Sequence, residues 1–253
     1  MDNISALRRK AKIMNILGKS MTYIVLTLAL LAVLAPLYIV LITSFKTRTE
    51  AMSPTFTLWP KEGLDFHGYK EVFTYVSGGD KIPTIIRGFI NTLWMVIPTT
   101  VIGTLVSSIS AYSFAKIEFR SKKLLFGLLV STMMIPGTIM LVPSYVIFDK
   151  IGWVDTPLPL MVPGMLGGAS CVFFMRQFYA SIPNDLIDAA KVDGMSYLGI
   201  FFKIMMPLSM PAFIAQLVLG FVGGYNAYLG PLLYLQSPQL YTLQISLAFF
   251  QGT

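Results

Sequence analysis

The stretch Asp188-Ala189-Ala190-Lys191-Val192-Asp193-Gly194, followed after nine residues by Ile204-Met205-Met206-Pro207, is a polar island between two long apolar stretches. The whole chain has 55% hydrophobic and only 12% charged residues, a composition typical of integral membrane proteins. A polar island in such a chain lies outside the bilayer. This stretch therefore marks where membrane spans end, and the rest of the fold can be placed around it.

Local signals divide the island into two short helices. Pro183 suits the first turn of a helix, with Ser181 as its predicted cap and Asp185 near the positive end of the helix dipole. Gly194 can end that helix, because glycine adopts the left-handed conformation that turns the chain. Ser196 is then expected to cap a second helix, which Pro207 ends. The pattern predicts helix, turn and helix at a membrane surface, although an ordinary polar loop with capped helices has the same local signals.

Five intervals are long and apolar enough to cross a bilayer, which takes about 20 residues in a helix. We therefore predict an all-α integral membrane protein with five spans and no soluble alternative. The predicted spans are about 20–45, 88–115, 124–148, 156–175 and 208–229. No charged residue follows Lys203, and the apolar chain continues to residue 253 with breaks at the Gly-Pro of 230 and the Ser-Pro of 237.

The distribution of lysine and arginine predicts the orientation, because basic residues are retained on the cytoplasmic side of short loops. Most of them lie in segment 1–19, in the loop after the second predicted span and in loop 176–207. The whole net charge of +7 falls on this side, so we expect a cytoplasmic N-terminus and a cytoplasmic 176–207 loop. The excess of basic over acidic residues thus reflects membrane topology, and we predict no nucleic-acid partner.

Segment 46–87 is then expected on the extracytoplasmic side, either on the outer surface or over a pore entrance. An interfacial aromatic belt is an equally good interpretation of its aromatic residues. These residues are Phe56, Trp59, Phe66, Tyr69 and Phe73.

The sequence contains no catalytic motif, so we predict no catalytic residue, cofactor or metal site. The only histidine, His67, has no second histidine or cysteine nearby, and the only cysteine, Cys171, is expected to pack within a span. None of the five predicted spans contains an ionisable residue. Ion-coupled transporters usually need such groups inside the membrane, so the pattern favours an external energy source.

The polar island resembles the cytoplasmic coupling loop of ABC importer permeases, whose pattern is Glu-Ala-Ala, three residues, Gly, nine residues, and Ile-x-Leu-Pro. Asp188 stands in place of the glutamate and Met206 in place of the leucine, and the spacing is the same throughout. The resemblance implies the MetI-like permease fold, with contacts to an ATPase through residues 183–207. The implied coupling residues are Asp188, Ala189, Ala190, Asp193, Gly194, Ile204 and Pro207.

A second stretch, residues 224–233, resembles the Trp-Asn-x-Phe-x-x-Pro-Leu segment of maltose-type carbohydrate permeases, specifically the MalG-like member of the permease pair. Tyr225 and Tyr228 replace two aromatic residues around Asn226. Aromatic rings stack on the apolar faces of sugars and amides bond to their hydroxyl groups, so these three residues are candidates for the substrate pathway. Packing between helices is the alternative role for each of them.

These resemblances imply a bacterial or archaeal inner-membrane complex of two permeases, two ATP-binding subunits and an extracytoplasmic solute-binding protein, which imports a small molecule across the lipid bilayer. The expected substrate is a sugar or oligosaccharide. A permease for amino acids, peptides or phosphate has the same coupling loop, and an ion-coupled secondary transporter is a third class. Members of the family usually have six spans, so we expect a sixth span to be missing from this sequence.

Overall fold

The computed structural model describes residues 2–55, 57–79 and 81–251, with side chains described for 14–55, 57–79 and 81–250. Phe56, Gly252 and the side chains of Arg8, Arg9, Lys10 and Lys12 therefore lie outside the described part. The described residues form helices and connecting loops without β-strands. The chain separates into two compact units, residues 1–71 and 72–253.

The first unit is dominated by one long helix, α1 (Asp2–Thr43), whose described side chains from Met14 to Leu41 are all exposed. A short helix, α2 (Arg48–Ala51), follows, and α3 (His67–Thr74) crosses the boundary between the units. Phe45, Phe66 and Tyr69 pack their rings together with centroid separations of 5.4–6.4 Å. Two of the aromatic residues predicted at the outer surface are thus part of a small ring cluster.

The second unit is built around its longest helix, α4 (Thr84–Lys116). The elements that follow it are α5 (Lys122–Thr132), α6 (Leu141–Lys150), α7 (Leu158–Met165), α8 (Ala169–Ser181), α9 (Asp185–Val192), α10 (Tyr197–Ile200), a π-helical turn (Phe201–Met205), α11 (Met206–Leu208), α12 (Met210–Tyr225), α13 (Leu229–Tyr234), a 3₁₀ turn (Pro238–Leu240) and α14 (Leu243–Gln251). Helices α7, α8, α12 and α14 all pack against α4.

Glycines allow this close packing around α4. A Cβ atom at Gly220 would lie 3.0 Å from the Thr100 methyl group, and one at Gly224 would lie 2.8 Å from a Val96 methyl group. A Cβ atom at Gly164 would collide with Thr99. Helices α7 and α12 can therefore lie against α4 only because these positions lack side chains.

Among the described residues, three stretches are long and apolar enough to cross a membrane: Met14–Thr43, Thr84–Lys116 and Leu158–Ser181. A fourth arises if Tyr197–Leu208 and Met210–Tyr225, which meet at an angle of 81°, form one broken span. The first, second, fourth and fifth predicted spans overlap these stretches. The predicted count of five spans with a missing sixth is not confirmed.

The predicted third span, 124–148, is two helices rather than one. Helix α5 ends at Thr132 and α6 begins at Leu141, with hydrogen-bonded turns between them. Pro136 lies in this interruption and lacks the amide hydrogen that a continuous helix requires, and Gly137 follows it. By contrast Pro98 lies within α4, which continues past it.

Candidate functional site

Residues 182–209, which we call the polar segment, form the two helices that the sequence predicted. Helix α9 ends at Val192, and Gly194 then has a φ of +78°, in the left-handed region. The Gly194 amide donates to the Lys191 carbonyl oxygen at 3.0 Å. Ser196 caps α10 by accepting a hydrogen bond from the Gly199 amide at 3.2 Å. The helix that begins there ends at Leu208, one residue after Pro207.

The predicted cap at Ser181 is wrong. Ser181 is the last residue of α8, and its hydroxyl donates to the Phe178 carbonyl oxygen at 2.7 Å. Asn184 precedes α9 instead. Three residues separate the end of α8 from α9, so this first helix of the polar segment begins later than Pro183 suggested.

The polar segment has an inner apolar face that packs into the main core of the unit. Ile187, Ala190, Ile200, Phe201 and Met205 are all buried there. The core residues of the spans that receive them are Ala111, Tyr112, Val172, Met175 and Tyr179. Ile204 is half-buried and packs against the same cluster. Ala190, which the resemblance implied as a docking residue, therefore faces its own chain.

The outer face of the polar segment is exposed and partly apolar. Asp188, Ala189, Asp193, Gly194 and Pro207 are all exposed. Large apolar side chains are exposed beside them, with Val192 at 88% of its full accessible area. The others are Leu186, Leu198 and Phe202. Most of the predicted coupling residues are thus exposed, and large apolar residues of the same segment are exposed as well.

Lys116, at the end of α4, joins the polar segment to the spans. Its Nζ donates to the Ile182 carbonyl oxygen and, at 2.7 Å, to the Asn184 Oδ1. It thereby bonds to both ends of the connection between α8 and α9. Local sequence gives no signal for these two contacts, because the partners of Lys116 lie 66 and 68 residues away.

The three predicted pathway residues lie at and just beyond the end of α12. The Tyr225 ring packs against Phe221 at 5.7 Å, while Asn226 and Tyr228 are exposed. Gln244 of α14 joins them, because its Nε2 lies 3.4 Å from both the Tyr225 carbonyl oxygen and the Asn226 Oδ1. Tyr228 and Gln244 also line a recess of about 260 Å³. Gln244 was missed because no local signal marks it.

A larger cavity of about 540 Å³ lies between α4, α7, α8 and α12. Its polar lining is uncharged and consists of Thr99, Thr100, Thr104, Ser107, Ser170 and Gln216, with Cys171 beside them. A smaller cavity of about 140 Å³ shares Thr99, Thr100 and Gly220 with it and extends to Ala227 and Thr242. The two cavities together follow α4 and α12 as far as the residues beside the predicted pathway site.

Residues 235–242, which we call the return segment, connect α13 to α14 and are fixed by side chains from distant parts of the chain. Asp155 accepts hydrogen bonds from the Gln236 amide at 2.8 Å and the Ser237 amide at 2.7 Å. The Ser237 hydroxyl also donates to Asp155 and, together with the amides, lowers the pKa of that carboxyl. Asn91 donates to the carbonyl oxygens of Gln239 and Tyr241 at 2.8 and 3.0 Å.

No group of three or more metal-ligating side chains occurs in the described part of the chain. The arrangement is instead a set of apolar helices around an uncharged cavity, with one exposed polar segment joined to them. Such an arrangement can move a solute and receive a partner.

Residues 79–251 match the family model described as the binding-protein-dependent transport system inner membrane component. The chain is also 32% identical over 214 residues to the arabinooligosaccharides transport system permease protein AraQ of Halalkalibacterium halodurans, covering 84% of this chain and 74% of that protein. It is 28% identical over 221 residues to the sn-glycerol-3-phosphate transport system permease protein UgpE of Pectobacterium atrosepticum, covering 87% and 78% respectively.

Among solved structures, a chain of a bacterial ABC transporter involved in the import of the acidic polysaccharide alginate has a similar fold. The TM-score is 0.75 at 22% identity, and the match covers 92% of this chain and 79% of that chain. The protein belongs to the family of binding-protein-dependent transport system inner membrane components. It is an integral membrane permease subunit with the MetI-like fold, and its function is transport rather than catalysis.

Proposed function

We propose that this chain is one of two permeases in an ATP-driven importer of a sugar or oligosaccharide, and that residues 183–207 contact the ATP-binding subunits. The observation that carries the proposal is the exposed surface of the polar segment. Val192, Leu198 and Phe202 are exposed in the same segment as the exposed Asp188 and the Gly194 turn. Exposed apolar patches with polar neighbours are typical of protein interfaces.

In this proposal the polar segment and residues 1–19 lie in the cytoplasm of a bacterial or archaeal cell, and residues 46–87 lie outside. The basic residues Lys116, Arg176 and Lys191 support this orientation. Asp188 accepts a basic group of the ATP-binding subunit, with Ala189 allowing close approach. A solute-binding protein delivers the substrate on the opposite side.

The substrate class is inferred from the uncharged lining of the cavities. Hydroxyl and amide side chains, Thr100, Ser170 and Gln216 among them, can exchange hydrogen bonds with a solute that has many hydroxyl groups. Tyr228 beside Gln244 offers a ring and an amide together, which suits a sugar. The similarity to a permease for arabinooligosaccharides supports this choice. The relative for sn-glycerol 3-phosphate makes a phosphorylated polyol the second candidate.

The coupling proposal is tested by purifying the tagged chain in mild detergent with its partners and comparing Asp188→Arg with Asp185→Arg. Both aspartates are exposed on α9, so the second variant matches the first in charge and position. We expect a second permease and an ATPase to purify with the wild type, and Asp188→Arg to weaken ATPase recovery more than Asp185→Arg does. A wild-type chain that purifies alone contradicts the proposal and favours an ion-coupled transporter.

The substrate proposal is tested by uptake of radiolabelled arabinotriose, sn-glycerol 3-phosphate, arginine and a dipeptide into cells that express the complete system. We expect uptake of arabinotriose, reduced by Gln216→Leu and less affected by Val222→Ala, an exposed position of the same helix that lines neither of the two cavities. Uptake of arginine or the dipeptide alone would assign the chain to a permease for non-sugar solutes and contradict the sugar assignment.

A further inference from the structure

Three hydroxyl groups meet at the bend between the polar segment and α12. The Tyr179 Oη lies 2.5 Å from the Ser108 Oγ, and the Ser209 hydroxyl donates to Tyr179 Oη at 3.2 Å or to the Met206 carbonyl oxygen at 3.1 Å. Tyr179, Ser108 and Ser209 are each completely buried. We call this set the hydroxyl triad. It joins three elements, because Ser108 is on α4, Tyr179 on α8 and Ser209 between α11 and α12.

Ser209 occupies the position at which the chain changes direction by 81°. Its amide donates to the Met205 carbonyl oxygen at 3.0 Å, and its own carbonyl oxygen accepts from the Phe213 amide at 2.9 Å. The backbone of Ser209 is thus bonded to both helices, while its side chain reaches Tyr179. Because of these hydrogen bonds, we expect the bend to move together with α4 and α8 as well as with α11 and α12.

The triad also lies close to the large cavity along each helix. Ser108 follows Ser107, which lines the cavity and accepts a hydrogen bond from the Gly168 amide at 2.9 Å. Cys171 and Phe174 line the cavity from α8, and Gln216 lines it from α12. Three of the four helices that enclose the cavity, α4, α8 and α12, therefore meet at or next to the triad.

A neighbouring tyrosine shows that packing alone does not require these hydroxyl groups. Tyr112 is buried next to Tyr179, with the ring centroids 6.3 Å apart, and both rings pack against Phe201. The Tyr112 Oη has no hydrogen-bond partner in the described part of the chain. Two tyrosines in one ring cluster thus differ in that only Tyr179 is bonded to the bend.

We propose that Tyr179, held between Ser108 and Ser209, is the positioning residue that transmits movement of the polar segment to the cavity. This inference rests on the proposed contact between the polar segment and the ATP-binding subunits. The hydrogen bonds of the triad fix the position of the bend relative to α4 and α8. When the polar segment is displaced, α4 and α8 therefore move with the bend, and the walls of the cavity rearrange. Without the Tyr179 hydroxyl, the rings still pack but the bend moves independently of the walls.

Cys171 provides a probe that needs no knowledge of the substrate. It is the only cysteine of the chain, it is partly accessible, and it lines the cavity. The complete complex is labelled with N-ethylmaleimide, with and without ATP and vanadate, and the modified peptide of this chain is quantified by mass spectrometry. We expect the labelling rate in the wild type to depend on nucleotide.

Tyr179→Phe is compared with Tyr112→Phe, which removes a hydroxyl group from the same cluster without breaking a hydrogen bond. We expect Tyr179→Phe to retain the ATPase subunit but to reduce the nucleotide-dependent change in labelling by about three- to tenfold, the range for loss of the one buried hydrogen bond that joins Tyr179 to Ser209 at the bend. Tyr112→Phe should behave as the wild type. Ser209→Ala removes the other partner and should reproduce the effect of Tyr179→Phe.

A normal nucleotide response in Tyr179→Phe would overturn the inference, as would an equal loss in Tyr112→Phe or no response in the wild type. If Tyr179→Phe does not assemble, a normal response in Ser209→Ala overturns it. Failure of the wild type to recover an ATPase subunit is a separate result, seen before any variant is labelled. It contradicts the proposed function itself.

Discussion

The polar segment and the return segment both connect apolar helices, but different interactions form their turns. The turns of the polar segment depend on neighbours in sequence: the positive φ of Gly194, the Ser196 cap and the contact of Lys191 with Asp188 at 3.2 Å. The return segment depends on residues far away in sequence, including Asp155 and Asn91. A segment with local turns can present a surface to a partner, whereas one held by distant side chains fixes the helices around it.

The comparison gives different expectations for substitutions in the two segments. Changes to the exposed face of the polar segment should reduce transport before they reduce the stability of the fold, because that face has few intramolecular contacts. Changes to the anchors of the return segment should reduce stability first. Variants that behaved alike in both segments would contradict the distinction.

The largest effect, loss of uptake, is expected for Gly194→Val. A Cβ atom at Gly194 would meet no other atom within 4 Å, so the substitution acts only through the positive φ. A β-branched residue in that conformation costs roughly 1–2 kcal/mol or more, which will displace the turn. We expect loss of uptake and weaker ATPase association with normal membrane insertion, measured by transport, co-purification and membrane fractionation.

Two further glycine substitutions distinguish the effect of the positive φ from the effect of added side-chain volume. Asn tolerates the left-handed region better than valine does, so Gly194→Asn should restore part of the uptake. Gly127→Ala adds a Cβ atom where no atom lies within 4 Å, but within α5 and without a positive φ, and should leave uptake unchanged. Normal uptake in Gly194→Val would contradict the proposed role of the Gly194 turn in transport.

The next largest effect, on stability, is expected for Asp155→Ala, which removes the carboxylate that binds the return segment. The substitution leaves the Gln236 and Ser237 amides without their acceptor and places alanine at a φ of 60°. Loss of hydrogen bonds to a charged group costs about 2–3 kcal/mol. We expect a lower thermal midpoint in detergent, while Asp149→Ala, an exposed aspartate in α6, should change stability by less than about 0.5 kcal/mol.

The same anchor predicts a dependence of stability on pH. Hydrogen bonds from the Ser237 hydroxyl group, followed by the amides, lower the pKa of Asp155 from its ordinary value of 3.8. The stabilisation is therefore fully present above that value and is lost as the pH falls through the folded-state pKa. We expect the stability difference between the wild type and Asp155→Asn to be constant from neutral pH down to 3.8 and to shrink below it.

A difference that already disappears near neutral pH would show that the carboxylate does not hold the return segment. Thermal unfolding of both proteins over the same pH series is the measurement. Comparing the two chains cancels the titration of the other carboxyl groups, which they share.

Sequence reasoning succeeded where the structure depends on neighbours in the chain. The Gly194 turn and the Ser196 cap follow from backbone conformation and from a hydrogen bond across three residues, both visible in the sequence. The apolar stretches of α1 and α4 were equally visible from their length and lack of charge. The family resemblance rested on the same local spacing and was confirmed.

Sequence reasoning failed where hydrogen-bond partners are far apart in the sequence. Lys116 contacts Asn184 across 68 residues and Asp155 contacts Ser237 across 82, and neither pair has a local signal. The Ser181 cap was assigned from composition near Pro183, but α8 extends to Ser181 because the apolar core reaches Tyr179. The break after Thr132 had no decisive local signal either: Pro136 lies in the interruption between α5 and α6, whereas Pro98 lies within a continuous α4.

The smallest effect is expected for Ser196→Ala, within the segment whose structure is most local. The variant removes the side-chain acceptor for the Gly199 amide, and loss of such a cap costs about 1 kcal/mol. Ile200, one residue further along, is buried in the core and keeps the helix in place, so only the exposed start of α10 should loosen. Faster hydrogen exchange at the amides of 197–199, with an almost unchanged thermal midpoint, is the expected result; Ser196→Asp, which restores an acceptor, should return exchange to the wild-type rate. If Ser196→Ala instead lowered the midpoint as much as Asp155→Ala, the polar segment would be as firmly tied to the fold as the return segment, and the distinction between them would not hold.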